Sequence, residues 1–317
     1  MNEIRITDYS QLQPFLKKHF PVVDIPLNEC EKADYILGDT FSPEIEHFKG
    51  VRILHTGENH HVDLNRFDYC LTHDYVENDR CHRFPYWLLH CLGNEAYRAE
   101  LLADRRITAE ELKAEQRGFC AFVCRNPKGK KRNSLVRNLS KHKMVSCGGP
   151  FMNNIGYVLP RPYEVKQEFQ HKHLFSMAYE NEAAPGYQTE KIVDAFLSRS
   201  IPIYWGNERV AEEFNPKAFV NANAFRSEKA LINYILELSE DYEAMAEMLS
   251  QPVLQNPNIF KESDKALIDF FTRIFERGPG AIQRTPMQKV LGVLSRFYGH
   301  GLFRTYRYTM RRLKGKY

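Results

Sequence analysis

The sequence predicts an α/β protein made of two Rossmann-like domains that face a cleft. Short apolar runs alternate with helical stretches, the pattern of a largely parallel sheet covered by helices. The length of 317 residues is enough for two domains of about 150 residues each. With 43% hydrophobic residues and no run of about 18 apolar residues, the chain can bury a core, and no membrane-spanning helix is expected. These observations exclude a disordered or fibrous protein.

The first domain is expected over residues 1–110. Its predicted strands are 4–6, 34–37, 51–55 and 68–71, and a helix is expected over 9–19. The segment 96–117 is charged, permits a helix and is poor in aromatic residues. We interpret it as the join between the two domains.

The second domain is expected over residues 111–265. Its predicted strands are 119–123, 174–178, 201–204 and 218–221, and its predicted helices are 134–142, 189–198, 228–237 and 242–249. The helix over 189–198 is the clearest, because its apolar residues share one face, Thr189 can cap its start and Pro202 follows its end.

Charge is unevenly distributed, and a basic helical tail is expected over 266–317. Residues 278–317 carry nine basic and no acidic side chains, whereas the rest of the chain carries 35 basic and 40 acidic ones. Apolar and basic residues interleave over 290–317, which suits an amphipathic segment on an anionic membrane surface. A packed terminal helix with a basic surface fits the pattern equally well. Nucleic-acid binding is not expected, since no recognition module accompanies the charge.

The cysteines and the N-terminal residues favour a cytoplasmic protein, peripheral on the cytoplasmic membrane face if the tail binds lipid. Seven cysteines are odd in number and form no C-x-x-C pair, which argues against a disulfide framework or a thiolate zinc site. Acidic residues near the first Met and the lack of an apolar stretch there predict no signal peptide.

A polar loop over 178–191 opens directly into the predicted helix 189–198. Ligands of open α/β sheets bind beyond the carboxyl ends of strands, and a helix N-terminus there offers N–H groups to a phosphate. Lys191 in the first turn opposes the helix dipole, a cost that a bound anion would offset. Glu190 can accept hydrogen bonds from sugar hydroxyls, while Tyr187 and Asn181 add a ring and an amide. A capped helix with a solvated first turn fits the same residues.

A basic loop over 125–133 follows the predicted strand 119–123 and holds five cationic side chains. Arg132 is best placed to present its guanidinium to a diphosphate. The spacing does not match a Walker loop, and no G-x-G-x-x-G follows any strand, which weakens a dehydrogenase interpretation. A solvated charged surface remains the alternative.

A third polar loop, over 54–61, follows the predicted strand 51–55. Glu58 lies at the carboxyl end of that strand and could act as a general base, although a solvated loop acid is the alternative. Adjacent histidines such as His60 and His61 point apart in an extended loop, and no D-x-D or H-x-x-x-H accompanies them. A divalent metal is therefore not expected.

Together these motifs resemble the donor-binding signature of the α1,3-fucosyltransferases, glycosyltransferase family 10, in their bacterial form. The matching segments are Tyr179-Glu-Asn, Gly186-Tyr-Gln-Thr-Glu-Lys-Ile-Val-Asp-Ala-Phe, Ile201-Pro-Ile-Tyr-Trp-Gly, Val210 to Val220, Thr56-Gly-Glu-Asn and Arg132-Asn. The resemblance covers about residues 50–250, and the block 179–206 is highly specific.

The resemblance implies a GT-B fold with an acceptor-side first domain and a GDP-fucose-binding second domain. It assigns the diphosphate to Arg132 and Lys191, and the catalytic base to Glu58. The donor pocket would be lined by Asn181 and Tyr187, with Glu190 in contact with the nucleotide ribose or the fucose there, and Asn126 matches a more loosely defined position in the phosphate-side loop. Family members invert the anomeric centre and need no metal for the chemical step. The sequence departs from the family pattern at Tyr179, where Phe is usual, at Arg125, where a small residue is common, and in lacking a Trp-rich first-strand segment.

The implied activity is transfer of L-fucose from GDP-fucose to N-acetylglucosamine of a Lewis-type oligosaccharide or lipid-linked glycan, in an α1,3 linkage. Two rival functions stay open. A glycosidase would need two carboxylates that face one bond and no nucleotide. A non-catalytic nucleotide-sugar or membrane-binding module would bind without turnover.

Overall fold

The chain folds into two compact units, each built around a parallel sheet. The computed structural model describes residues 3–8, 11–39, 43–46 and 48–280. Of the described residues, the first unit takes in those up to Thr72, Val76–Arg83 and Ala266–Gly280, and the second takes in His73–Tyr75 and Phe84–Lys265. The predicted fold class, α/β with parallel sheets, is confirmed.

The first unit contains a six-stranded sheet. Its strands are β1 (Ile4–Asp8), β2 (Val22–Asp24), β3 (Tyr35–Gly38), β4 (Val51–His55), β5 (Tyr69–Thr72) and β6 (Cys81–Arg83), with helix α1 (Gln13–His19) between β1 and β2. The strand order is β2-β1-β3-β4-β5-β6, and every pairing is parallel. All residues of β3 and β5 are buried, as expected of parallel strands that are covered on both faces.

The second unit contains a five-stranded sheet with helices around it. Its strands are β7 (Gly118–Phe122), β8 (Val145–Cys147), β9 (His173–Tyr179), β10 (Ile201–Trp205) and β11 (Val220–Asn221). The helices, in chain order, are α2 (Tyr86–Cys91), α3 (Glu95–Leu102), α4 (Ala109–Ala114), α5 (Lys130–Leu139), α6 (Tyr163–His171), α7 (Glu190–Leu197), α8 (Glu228–Leu238) and α9 (Tyr242–Leu249). The strand order is β11-β10-β9-β7-β8, again all parallel.

The units do not divide at the predicted boundary 110/111, whereas the predicted break at 265/266 coincides with a division point, after which the chain rejoins the first unit. Residues from Phe84 onward belong to the second unit, where the buried Trp87 indole donates to Glu213 Oε2 at 2.9 Å and Arg98 forms a two-pronged pair with Asp264. Helix α10 (Ile259–Arg277) begins in the second unit and ends in the first. Part of the predicted tail is therefore core: Phe275 packs edge-on against Phe20 and Tyr35 of the first unit.

Several elements differ in extent from the sequence prediction. Helix α1 begins at Gln13, with a proline in its first turn, and not at residue 9. The segment 96–117 is not a plain linker, since it holds most of α3 and all of α4, which a Thr108–Glu111 capping box starts. No helix among the described residues is long and apolar enough to cross a membrane. The amphipathic segment predicted over 290–317 lies outside the described residues.

Candidate functional site

Two helices of the second unit begin near the point where the strand order of its sheet reverses. From β7 the chain moves outward to β8, then returns to the other side of β7 to form β9 and continues to β10 and β11. The crossing point lies between β7 and β9, the place where open α/β sheets bind ligands. Helix α5 follows β7, and helix α7 follows β9.

Arg132 joins the loops that follow these two strands. Its Nη1 donates to Asn181 Oδ1 at 2.7 Å, and its Nη2 donates to the carbonyl oxygens of Asn126, at 2.6 Å, and Lys128. The side chain is buried at 2% exposure, and its Nε has no hydrogen-bond partner among the described residues. The structure thus brings together three of the predicted donor-site residues, Asn126, Arg132 and Asn181, around one guanidinium.

Helix α5 begins four residues before the predicted start at 134, and Arg132 opens this helix from its first turn. The N-cap residue is Gly129, whose φ of 118° is a left-handed conformation that favours glycine. The exposed cations Lys130 and Lys131 occupy the start of the same helix, with the Lys131 ammonium 4.9 Å from the Trp205 ring centroid. Basic side chains at a helix start favour a bound anion, because they oppose the helix dipole.

Thr189 occupies the N-cap position of α7, but its hydroxyl does not cap the helix as predicted. It donates instead to the carboxylate of Glu180, at 2.8 Å from Oε2, while the Thr189 N–H donates to Oε1 at 2.7 Å. Glu180 is fully buried, and a buried carboxylate requires such donors.

Lys191 completes this cluster. Its ammonium donates to Glu180 Oε2 at 3.0 Å and to the Thr189 hydroxyl at 2.7 Å, and it lies 3.8 Å from Glu190 Oε1. Burial would lower the pKa of Lys191, but the Glu180 and Glu190 carboxylates raise it above its usual value. Burial raises the pKa of Glu180, against the opposing effect of Lys191. The dipole cost of a lysine in this turn is thus partly offset by the protein's own carboxylates.

A second lysine–carboxylate pair lies one turn further along α7, and sequence reasoning missed it. Lys166 of α6 donates to Asp194 Oδ2 at 2.5 Å, and His90 Nε2 lies 3.1 Å from Oδ1. Asp194 is fully buried; burial would raise its pKa, but Lys166 and His90 hold it below its ordinary value. Helix α6 was itself not predicted, so no signal placed Lys166 near the site.

Tyr187 and Glu190, both predicted to line the donor pocket, lie in different surroundings. The Tyr187 ring is 3% exposed and packs edge-on against His73, at 5.2 Å between centroids. The preceding Gly186 has a φ of 81°, and a Cβ there would lie 2.0 Å from the His73 carbonyl oxygen. The Glu190 side chain keeps 20% exposure, so its carboxylate can reach a ligand.

Glu58, the predicted base, belongs to the first unit. It follows β4 in a turn in which its backbone N–H donates to the Thr56 hydroxyl at 3.1 Å. The residue is exposed. Its carboxylate is therefore accessible to a hydroxyl group of a ligand, and its role as the base stays a prediction.

The second unit thus places two cations, Arg132 and Lys191, in the loops and helix starts that follow β7 and β9, with the hydroxyl-binding candidate Glu190 beside Lys191. Such an arrangement can hold a diphosphate and stabilise charge that develops on it. Glu180, Asp194 and Lys166 hold the turn together electrostatically, and the sequence motif contained Glu180 without revealing that role.

Two family models match most of the chain. The glycosyltransferase family 10 (fucosyltransferase) C-terminal model matches residues 112–250, and the alpha-(1,3)-fucosyltransferase FucT N-terminal domain model matches residues 6–90. The predicted motifs of the donor site all fall inside the first of these ranges, and Glu58 falls inside the second.

Individual proteins agree with the family models. The alpha-(1,3)-fucosyltransferase FucT of Helicobacter pylori is 31% identical over 283 residues, 78% of this chain and 58% of that protein. The 3-galactosyl-N-acetylglucosaminide 4-alpha-L-fucosyltransferase FUT3 of Bos taurus is 39% identical over 114 residues, 35% of this chain and 30% of that protein. The chain therefore spans little more than half the length of the first relative and less than a third of the second.

A solved structure shares the fold. The crystal structure of an alpha1,3-fucosyltransferase with GDP-fucose superposes with a TM-score of 0.69 at 28% identity, covering 86% of this chain and 90% of that one. The predicted GT-B architecture is confirmed by this likeness. The motifs, the two family models and the shared fold agree, and the chain belongs to glycosyltransferase family 10.

Proposed function

We propose that the protein is an inverting fucosyltransferase that moves L-fucose from GDP-fucose to a hydroxyl of N-acetylglucosamine in an N-acetyllactosamine-type glycan, in an α1,3 linkage. The observation that carries the proposal is the cluster of Arg132, Lys191 and Asn181 at the crossing point of the second sheet. It coincides with the family's donor motif, and a solved relative of the same fold was crystallised with GDP-fucose.

In the donor half of the reaction, Arg132 and Lys191 bind the diphosphate. The bond between the anomeric carbon of fucose and the diphosphate oxygen breaks, and its electron pair leaves with GDP. The fixed cations stabilise the charge that builds on GDP, and they need little rearrangement because they are already held by Asn181 and Glu180. Glu190 accepts hydrogen bonds from the ribose or the fucose. The proposed reaction uses no metal ion, so EDTA should leave turnover unchanged.

In the acceptor half, the acceptor hydroxyl oxygen attacks the anomeric carbon from the side opposite the departing GDP. The new carbon–oxygen bond forms as the old one breaks, which inverts the centre. Glu58 takes the proton of the attacking hydroxyl. The exposure of Glu58 supports this assignment, since the acid is accessible to an acceptor.

Incubation of the purified protein with GDP-fucose and N-acetyllactosamine tests the proposal. We expect GDP release and a fucosylated product, whose linkage is read by NMR. Glu58→Gln should lower turnover by about 10²–10⁴ with little change in GDP affinity. Glu77→Gln changes another exposed acid of the first unit and serves as the matched control. Wild-type protein that releases no GDP above background would contradict the proposal.

The acceptor is the least constrained part of the proposed reaction. The names of the two relatives above specify different linkages, alpha-(1,3) for one and 4-alpha for the other. An array of type 1 and type 2 oligosaccharides and lipid-linked glycans would separate α1,3 from α1,4 transfer. The α1,3 assignment predicts that type 2 acceptors react faster by tenfold or more.

The rival functions have less support. The buried carboxylates of the site, Glu180 and Asp194, are each paired with a lysine, which leaves neither available as the acid of a glycosidase. For a non-catalytic binding module, Glu58→Gln would change no activity, because there would be no turnover to lose.

We further propose, from sequence alone, that residues 290–317 hold the protein on an anionic cytoplasmic membrane face where lipid-linked glycans are presented. Deletion from Gly299 onward should abolish co-sedimentation with vesicles that contain an anionic lipid, while GDP affinity is kept. Unchanged co-sedimentation would remove the membrane role.

A further inference from the structure

Lys166 and Lys191 are each held near the start of α7 by a buried carboxylate. Their side chains are 21% and 22% exposed, and each ammonium is bound to a carboxylate that is fully buried, Asp194 for one and Glu180 for the other. The motif of the family supplies only Lys191. Lys166 comes from a different helix, α6, yet it has the same burial and the same kind of anchor.

The charges of Lys166 and Lys191 both act to lower the pKa values of Glu190 and Cys124. Burial would raise the pKa of Glu190, but Lys191 and Lys166 together lower it below its usual value. Burial raises the pKa of the Cys124 thiol, just after β7, and Arg132, Lys191 and Lys166 all oppose this. Asp194, which binds Lys166, follows Glu190 by one helical turn on the same face of α7, so Lys166 and Lys191 both lie near Glu190 at the start of this helix.

The need to neutralise Asp194 does not by itself explain why Lys166 lies at this position. His90 already supplies Asp194 with a second polar partner at 3.1 Å. An ammonium has three N–H donors, of which Asp194 takes one, and about a fifth of the Lys166 side chain remains open to solvent. The Lys166 ammonium therefore keeps hydrogen-bonding capacity that Asp194 does not use.

We propose that Lys166 is a third cation of the donor site, whose ammonium contacts the diphosphate beside Arg132 and Lys191. The inference rests on the proposed function, since it takes GDP as the ligand. Asp194 and His90 act as the anchor that aims Lys166, as Glu180 and Thr189 aim Lys191. A third point charge at the diphosphate strengthens binding of GDP and the stabilisation of GDP as it leaves.

The test compares GDP with guanosine as calorimetric ligands of the full-length protein. Lys166→Gln keeps a hydrogen-bond donor for Asp194 but removes the charge. We expect it to weaken GDP binding tenfold or more and guanosine binding less than twofold, because guanosine has no phosphate. Lys166→Arg should recover most of the GDP affinity. Lys172→Met, at the exposed C-terminal end of the same helix, is the matched control and should change neither.

Equal GDP affinity in Lys166→Gln and wild type, or equal weakening of GDP and guanosine, would overturn the inference. If Lys166→Gln does not fold, the double variant Lys166→Met/Asp194→Asn removes both buried charges and is measured in its place. Wild-type protein that binds GDP but transfers no fucose would contradict the proposed function and leave the inference intact. Fucose transfer by the wild type, together with normal GDP binding by Lys166→Gln, would support the proposed function and contradict the inference.

Discussion

The two units offer contrasting examples of how titratable side chains are buried. In the first unit, His55 at the end of β4 and His82 in β6 are kept neutral, and burial lowers the pKa of each to about 4. In the second unit, Glu180 and Asp194 are fully buried beside the lysines that pair with them. Buried ion pairs contribute little net stability compared with apolar residues. Their concentration around α7 therefore indicates a function there, namely a site whose charges are fixed before a ligand arrives.

Removing one charge from the buried ion pairs of the second unit should have the largest effect on turnover and stability. Lys191→Met should lower turnover by about 10²–10³ and destabilise the second unit by about 3–5 kcal/mol, because Glu180 would be left buried without its cation. The double variant Glu180→Gln/Lys191→Met should recover most of the stability and none of the activity. Steady-state kinetics and thermal unfolding measure the two effects. Full activity in either variant would show that these charges are not needed for chemistry.

The backbone of the donor loop gives the next largest effect. Gly186→Ala should destabilise the second unit by about 2–4 kcal/mol, because its Cβ would overlap the His73 carbonyl oxygen in addition to the strain of a positive φ. Gly156→Ala is the matched control, since Gly156 has a similar φ of 84° and no atom lies within 4 Å of the Cβ that alanine would add. Denaturant unfolding should separate the two variants by about 1 kcal/mol or more. Equal loss in both variants would mean that the contact with His73 is unimportant.

The neutral histidines of the first unit predict a loss of its stability in acid. Between pH 6.5 and 4 the unfolded chain binds protons that buried His55 and His82 do not, so stability falls as the pH falls through this range. We expect on the order of 2 kcal/mol for each histidine at pH 4.5. Hydrogen exchange of first-unit peptides, corrected for intrinsic rates, measures the loss. His55→Gln should reduce it, and a pH-independent result would contradict the assignment.

The surface pair Lys172–Glu168 should have the smallest effect. Both side chains are about two-thirds exposed, so solvent screens their attraction. Lys172→Met should leave the unfolding temperature and turnover unchanged within error. A marked loss of either would mean that exposed and buried pairs in this unit are coupled.

The sequence was sufficient for the fold class, most longer strands and the family, because those depend on local apolar periodicity and on contiguous motifs. It was insufficient for short strands such as Cys81–Arg83, in which polar residues hide the pattern. The start of the second unit near Phe84 also escaped prediction, since it depends on where α2 and α3 pack. Lys166 and Asp194 are 28 residues apart in the chain, and only the packing of α6 against α7 brings them together.

The helix α7 has a consequence for how the protein should be handled. Because the Thr189 hydroxyl is bound to Glu180 and leaves the helix without a side-chain cap, the N–H groups of the first turn of α7 and the partly exposed Lys191 can attract a small oxyanion. Phosphate and sulfate ions should compete with nucleotide, and inorganic salts of the storage buffer would then appear as inhibitors. Kinetic constants measured in phosphate and in an amine or sulfonate buffer of equal ionic strength will not agree.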